Sequence, residues 1–542
     1  MTAGLMQDWP LTIDKILDHA ARWHGDVEVV SRSVEGPITR TRYSDVHIRA
    51  KRLSRCLLDL GIKTGDRVAT LAWNTGRHLE AWYGIMGIGA ICHTLNPRLF
   101  AEQLCYIINH AEDRILLLDT SFLPFLRQHR ASLPTVQHVI ILTDEMNMPE
   151  DEAGDMLCFE TLLKQASPDC DWGGFDENMA AGLCYTSGTT GRPKGVLYSH
   201  RSYFLHTLAT LGTDLLGFSA RDTVMAVVPM FHANAWGVPF SAPAAGARLV
   251  LPGPRLDGAS IHALLQEEEV SYSLAVPTVW QMLLEHLRAT GGQLDHLKRV
   301  LIGGTALPEA ILRAFRDEFG VEILHGWGMT EMSPLGTLTA LNHPTRTAEG
   351  EEEIRLKLAQ GRPPIGVEMI LVDDEERPLP HDGATAGRLK VRGPWVARGY
   401  FNGESHILDE QGFFDTGDIA TIDRHGFMQV TDRAKDLIKS GGEWISSIQI
   451  ENMAASHAAA ASCAVIGVEH PKWDERPLLL MKLKEGARAD KADVLGFLEG
   501  KIARWWMPDD VVFVDDIPIG PTGKVDKKLL RDRLKDYVLP TV

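Results

Sequence analysis

Tyr185-Thr-Ser-Gly-Thr-Thr-Gly-Arg-Pro-Lys-Gly-Val196 is the stretch from which this chain is read. It gathers four hydroxyls (Thr186, Ser187, Thr189, Thr190), two turn-forming glycines (Gly188, Gly191) and Lys194 within a few residues. Glycine lets the backbone curl and bring N–H groups close to an anion. Hydroxyls add donors, and lysine adds a mobile point charge. Such a loop suits a polyphosphate. It is not a Walker A loop, because Pro193 precedes the lysine and Gly195 follows it where a Ser/Thr would open a helix. Taken singly, the same composition also describes an exposed turn that binds nothing.

The chain has 542 residues, enough for about three to four domains. A hydrophobic content of 44% and a charged content of 23% are those of a globular protein. A formal net charge of −17 argues against nucleic acid as a partner, which requires a basic face. No uninterrupted apolar run approaches the ~20 residues of a membrane span, so no integral membrane association is expected. The N-terminus lacks the basic and apolar regions of a signal peptide. Seven scattered cysteines without a C-x-x-C pair suit a reducing, cytoplasmic setting.

Outward from the loop, apolar runs alternate with helical patterns. Asp66–Trp73, Arg114–Asp119 and His138–Thr143 read as buried strands before it, with a helical stretch over Leu79–Met86. After it a helix is expected from Ser199, a plausible N-cap, then strands at Val224–Val228, Arg248–Leu251, Ser271–Val276 and Arg299–Ile302. Pro308 suits the first turn of a helix running to Phe319. Beyond the charged run Glu351-Glu-Glu-Ile-Arg355, short alternating runs (Met369–Val372, Arg388–Val391) indicate a small β-rich unit. The last ~110 residues, after Asp432-Arg-Ala-Lys-Asp436, return to mixed α/β. The expected architecture is α/β: a large N-terminal part of two α/β subdomains plus a small β-barrel-like subdomain, and a small mobile α+β C-terminal domain. The expected boundaries are 1–432, a hinge at 433–438, and 439–542.

Four further motifs carry chemistry. In Gly326-Trp-Gly-Met-Thr-Glu-Met-Ser-Pro334, the adjacent Thr330 and Glu331 form a plausible phosphate-and-Mg²⁺ pair, since magnesium takes few protein carboxylates plus phosphate oxygens. A solvent-facing glutamate is the alternative. In Phe413–Asp423, Asp418 of Thr-Gly-Asp is placed to accept both hydroxyls of a ribose, or to cap its own turn. Asp432–Trp444 supplies Arg433, Lys435, Lys439 and a Gly-Gly turn, and Pro518–Arg531 presents Lys524 after a Pro/Gly turn. Either of the last two, alone, would pass for a solvated surface.

Together and in this order, the five motifs resemble the adenylate-forming superfamily of acyl-CoA synthetases, peptide adenylation domains and luciferases over essentially the whole chain. Met230–Phe240 and Val250–Pro254 look like the fatty-acyl-CoA ligase branch, similar in overall run to bacterial medium- and long-chain ligases and 3-(methylthio)propionyl-CoA ligases.

The resemblance implies a ligase that joins a carboxylic acid to coenzyme A with ATP and Mg²⁺, through an acyl-adenylate, in a protein that is commonly a homodimer. It implies that Thr186, Ser187, Gly188, Thr189, Thr190 and Lys194 hold the β- and γ-phosphates, with Glu331 and Thr186 on the metal. Thr330 meets the α-phosphate. Gly304, His325, Gly326 and Trp327 face the nucleotide, and Asp418 and Arg433 hold its ribose. Lys524 bridges acid and α-phosphate. Lys435 is the pivot of a rotating C-terminal domain, with Lys439, Gly441, Gly442, Glu443 and Trp444 on its nucleotide- and CoA-facing side. His232, Trp236, Gly303, Gly304, Trp327, Gly328 and Pro334 would line the acid pocket. Trp236 is placed as a gate, and Trp327 departs from the tyrosine common at its position, so that its larger ring should narrow or seal the pocket. Core packing is the simpler reading of both tryptophans. Two other functions stay open: loading a carrier-protein thiol, and a non-catalytic nucleotide sensor.

Overall fold

The computed structural model describes all residues except 1–3, 151–153, 187–191, 404–406, 434, 442, 521–523 and 542, and the side chains of 443 and 444. Strands such as Ile115–Leu118 are buried at every position. A run apolar on both faces belongs inside a parallel sheet covered by helices. Here it sits in the middle of a sheet of seven strands that ends, on one side, in the antiparallel hairpin Ala180–Tyr185 and Gly195–Ser199. The second of these strands is not foreseen by the sequence reading. It makes the Gly/Thr-rich stretch the connection of a β-hairpin.

The helix Gly76–Gly87 is buried at every residue from His78 to Gly87. A helix of this kind lies in the core rather than on it. Thr75 caps its start by accepting from the His78 N–H. Its one carboxylate, Glu80, is matched by the Arg49 guanidinium, 2.7 Å from Nε. Tyr83 bonds the Pro239 carbonyl of the helix Val238–Ala245 (2.9 Å), and Trp82 packs on Phe240. The same apolar cluster takes Val68 and Cys92 from the first sheet and Val224 and Leu249 from a second. Each large side chain so buried contributes about 1.5–3 kcal/mol.

The second sheet, of eight strands, runs in the order Leu335–Leu338, Glu322–Gly328, Arg299–Ile302, Tyr272–Ala275, Thr223–Ala226, Arg248–Leu251, Glu28–Arg32 and Ile38–Arg42. Its last two members come from the N-terminus. Glu28–Arg32 pairs in parallel with Arg248–Leu251, Val30 beside Val250. Ser199 does cap the helix His200–Thr210, accepting from the Ser202 N–H. Pro308 precedes its helix as the N-cap, and that helix changes from α (Glu309–Arg313) to a π turn (Ala314–Glu318). The run Glu351–Arg355 lies within a helix, Gly350–Leu358.

The β-rich unit is an antiparallel sheet of Glu368–Val372, Gly387–Arg392, Phe414–Ile422 and Met428–Arg433. The C-terminal unit has its own sheet, built round the long pair Ala460–His470 and Asp474–Leu483. Asp432, fully buried at the end of the β-rich unit, joins the two. It accepts from the Ser447 N–H and Oγ–H, both at 2.6 Å, at the start of the helix Ser447–Ala455. Lys527 donates to the same Ser447 Oγ and pairs with Glu451 at 2.8 Å. Among the described residues no helix is long and apolar enough to cross a membrane.

Asp432→Ala removes the acceptor of two short buried bonds and leaves Ser447 and Lys527 without it. The expected loss is about 2–3 kcal/mol, read as a lower midpoint of thermal unfolding and faster proteolysis near 433–438. A variant matching the wild type in both measures would show that Asp432 does not fasten the two units.

Candidate active site

The hairpin fixes the neck of the phosphate loop. Thr186 N–H donates to the Lys194 carbonyl at 2.9 Å, and Lys194 N–H returns to Thr186 Oγ1 at 3.3 Å. Ser187, Gly188, Thr189 and Thr190 lie outside the described residues. The Lys194 ammonium stands 4.7 Å from the centre of the Tyr400 ring. Tyr400 hydroxyl donates to Glu331 Oε1 at 2.9 Å, and the next residue, Phe401, bonds through its N–H to Gly195 O at 2.8 Å. One segment thus braces both the loop and the acidic group opposite it. Neither Tyr400 nor Tyr198, whose hydroxyl holds the Thr330 carbonyl at 2.6 Å, belongs to a motif that sequence reading singles out.

A cleft of about 550 Å³ opens between these groups, lined by Lys194, Met329, Glu331, Tyr400 and Thr416. Glu331 is only 7% exposed, and burial raises its pKa against the Tyr400 bond and the Arg433 charge that lower it. Among the described residues no cluster of three His, Cys, Asp or Glu exists. One buried carboxylate on a cleft that also holds Lys194 fits magnesium, which takes few protein carboxylates and keeps waters or phosphate oxygens for its remaining positions. It does not fit a metal that needs an all-protein cage.

Asp418 is buried at the rim of the β-rich sheet. Its Oδ2 accepts the Trp327 Nε1–H at 2.8 Å, and its Oδ1 lies 3.5 Å from Arg433 Nε. Trp327 therefore turns its polar edge to the Asp418 carboxylate. Gly336 makes room for it, because a Cβ there would overlap the indole. Gly328 is likewise required, since a side chain would run into the Pro334 carbonyl. Gly326 lies in the same strand, packed so closely that a Cβ would meet Leu338 at 3.0 Å and the Thr337 carbonyl at 3.2 Å. The His325 ring is fully buried and donates from Nδ1 to Leu358 O at 2.9 Å, while its buried Nε2 has no partner among the described residues.

The segment that carries His232 and Trp236 is built on an unusual backbone. Ala233, Asn234, Ala235 and Trp236 are all left-handed, with φ between 43° and 55°, and Gly237 continues the turn. Left-handed non-glycine residues cost roughly 1–2 kcal/mol each. The chain entering this turn is clamped by Asn74, which donates to the Ala226 and Val228 carbonyls (2.7 and 2.8 Å) and accepts from Met230 N–H at 2.7 Å. The turn lays Trp236 over Gly303 and Gly304: a Cβ at Gly303 would sit 3.3 Å from the indole. Half-buried His232 is pulled down to about 4 by burial and by the Lys524 and Arg98 charges, and is neutral at physiological pH.

Lys524 reaches this site from the far end of the chain. Its hairpin is closed by Gly520 N–H to Lys524 O at 2.7 Å and by the Ile519–Val525 bridge. Burial pushes the ammonium down to about 8, helped by Arg433 and Lys435, while Asp418 and Glu331 hold it charged. Lys524, Asp418, Arg433, Glu331 and His232 are thus brought into one electrostatic neighbourhood. Lys435 and Lys439 are exposed, and Gly441 turns at φ 61° with its N–H on Trp473 O. Gly442 and the side chains of Glu443 and Trp444 lie outside the described residues.

The chain is 49% identical over 98% of its length to the 3-methylmercaptopropionyl-CoA ligase of Ruegeria lacuscaerulensis, covering 99% of that protein. It is 47% identical over 99% of its length to the medium-chain-fatty-acid–CoA ligase of Ectopseudomonas oleovorans, covering 98%. Among solved structures, the ATP-bound MatB of Rhodopseudomonas palustris superposes with a TM-score of 0.82 at 25% identity, over 97% of this chain and 99% of the other. Residues 17–401 match the AMP-binding enzyme family and residues 449–524 the AMP-binding enzyme C-terminal domain. The chain belongs to the AMP-binding enzyme family.

Proposed function

We propose that the chain is an AMP-forming acyl-CoA ligase whose acid is a short- to medium-chain fatty acid or 3-(methylthio)propionic acid. The observation that carries this reading is the desolvated Lys524 ammonium set among Asp418, Arg433, Glu331 and neutral His232. Relatives at 47–49% identity bear the names of CoA ligases for acids of this size. The reading includes domains at 1–432 and 439–542 with a hinge at 433–438, a cytoplasmic homodimer, and magnesium on Glu331 and Thr186. Bound there, the metal would supply positive charge to the departing pyrophosphate.

A carboxylate resists direct attack by a thiol because oxide would have to leave. Its oxygen instead attacks the α-phosphorus of ATP, the P–O bond to pyrophosphate breaks, and an acyl-AMP forms. Lys524 screens two anions as they approach, and its partial burial strengthens that effect over its value in bulk water. His232, uncharged, lies beside the acid without adding a competing cation. Asp418 and Arg433 orient the ribose, and Lys194 draws the β,γ-phosphates toward the hairpin neck. In the second half, the CoA sulfur attacks the acyl carbon and AMP leaves with the bonding pair. Lys524 has no counter-anion to bridge in that step, so its contribution belongs to the first.

Three outcomes follow from these assignments. Lys524→Ala should lose acid-dependent ATP–pyrophosphate exchange by about 10²-fold or more yet still convert synthetic acyl-AMP and CoA to thioester; equal loss in both halves would refute the role given to Lys524. Because its pKa is lowered to about 8, the ammonium is complete below that pH and discharged above it. Wild-type kcat/KM for adenylation should therefore fall as pH rises through about 8, and Lys524→Arg should lack that inflection. An inflection unchanged in the arginine variant would assign the titration elsewhere. Finally, Trp236→Ala should shift the kcat/KM ratio between octanoate and 3-(methylthio)propanoate by about tenfold. A profile unaltered across C3 to C12 acids would leave Trp236 as packing.

A further inference from the structure

We infer that Trp327 is a positioning residue for nucleotide recognition: its indole N–H sets the Asp418 carboxylate in the orientation that a ribose diol requires. This rests on the reading of Asp418 as the ribose acceptor. A diol with two adjacent hydroxyls is bound best by a carboxylate that presents one lone pair from each oxygen in parallel. An aspartate carboxylate rotates broadly about its last torsion unless something holds it. Here Oδ2 is held by Trp327 Nε1 at 2.8 Å, and Oδ1 faces Arg433 Nε at 3.5 Å.

The two partners are not equivalent. Arg433 is a charge on a long side chain, 42% exposed, at a distance beyond a normal hydrogen bond. Trp327 is a rigid donor with a single N–H, fixed in the strand Glu322–Gly328 and seated in the space left by Gly336. It is therefore the indole that removes the carboxylate's freedom. Its bond also spans two sheets, joining the eight-stranded sheet to the β-rich unit that carries Asp418. A phenylalanine keeps an aromatic ring, smaller than the indole, and loses the donor; replacing the N–H alone keeps the full face and removes only the bond.

The test measures binding of ATP, 2′-deoxyATP and 3′-deoxyATP by calorimetry to the full-length wild type, Trp327→Phe and Asp418→Asn. In the wild type, removing one ribose hydroxyl should weaken binding by about tenfold or more, as for a hydrogen bond to a charged group. In Trp327→Phe the same deletion should cost less than about threefold, because the carboxylate no longer holds both hydroxyls. Replacing Trp327 by 3-benzothienylalanine, which exchanges only the N–H for sulfur, should reproduce the phenylalanine result and separate the donor from the packing. If both variants keep the full deoxy penalty while Asp418→Asn loses it, Asp418 is the ribose acceptor and the positioning role of Trp327 is overturned. If Asp418→Asn also keeps the penalty, the ribose reading of Asp418 fails, and the inference fails with it.

Discussion

One partly buried ammonium group, set in the field of carboxylates from other parts of the chain, is the constraint on which the candidate site depends. Lys524 would neutralise itself in an apolar pocket. Asp418 and Glu331 oppose that, and Arg433 and Lys435 favour it. The opposing effects leave its pKa lowered to about 8, so that anions arriving beside the group are enough to commit it to the charged form. No single element supplies this balance. It requires the β-rich sheet to present Asp418 and Arg433, the eight-stranded sheet to lead into Glu331, and the C-terminal hairpin to close over them.

The site therefore lies on seams. The hairpin neck of the first sheet reaches Glu331 through Tyr400, Asn74 holds the approach to the left-handed turn, and Trp327 ties two sheets through Asp418. The two large sheets share one apolar cluster, whereas the β-rich sheet and the C-terminal sheet are built round clusters of their own. Asp432, with its two short bonds to Ser447, is the firm point beside residues 433–438.

Much of this was legible in residue order. The apolar runs about Leu117 and Val300 gave strands, Ser199 acted as the N-cap that its position implied, and the five motifs converged on one site. What could not be read falls into two kinds. Some residues act across long intervals: Tyr400 and Glu331 are 69 positions apart, Tyr198 and Thr330 are 132, and no local pattern marks either tyrosine. Others defy local preference. Nothing in Ala233-Asn-Ala-Trp236 announces four left-handed residues, because only the surrounding contacts hold them there. The strand Gly195–Ser199 was hidden for a milder reason. Five residues straight after a Gly/Pro-rich turn carry little periodic signal.

The placement of Glu28–Arg32 at the far side of the eight-stranded sheet has a consequence for how the chain is made. Its parallel partner, Arg248–Leu251, lies about 220 residues later. At a synthesis rate of ~5–20 residues per second, the N-terminal strand waits roughly 10–40 s on the ribosome before the segment it pairs with exists. Its apolar residues Val29 and Val30 are fully buried in the finished protein but have no parallel sheet partner during that interval. The antiparallel partner Ile38–Arg42 emerges at once and carries alternating threonine and arginine, so the waiting strand is born as half of a polar-edged ribbon. Charge on a provisional edge discourages pairing with other chains, and the nascent segment keeps its place for a sheet that is finished only much later.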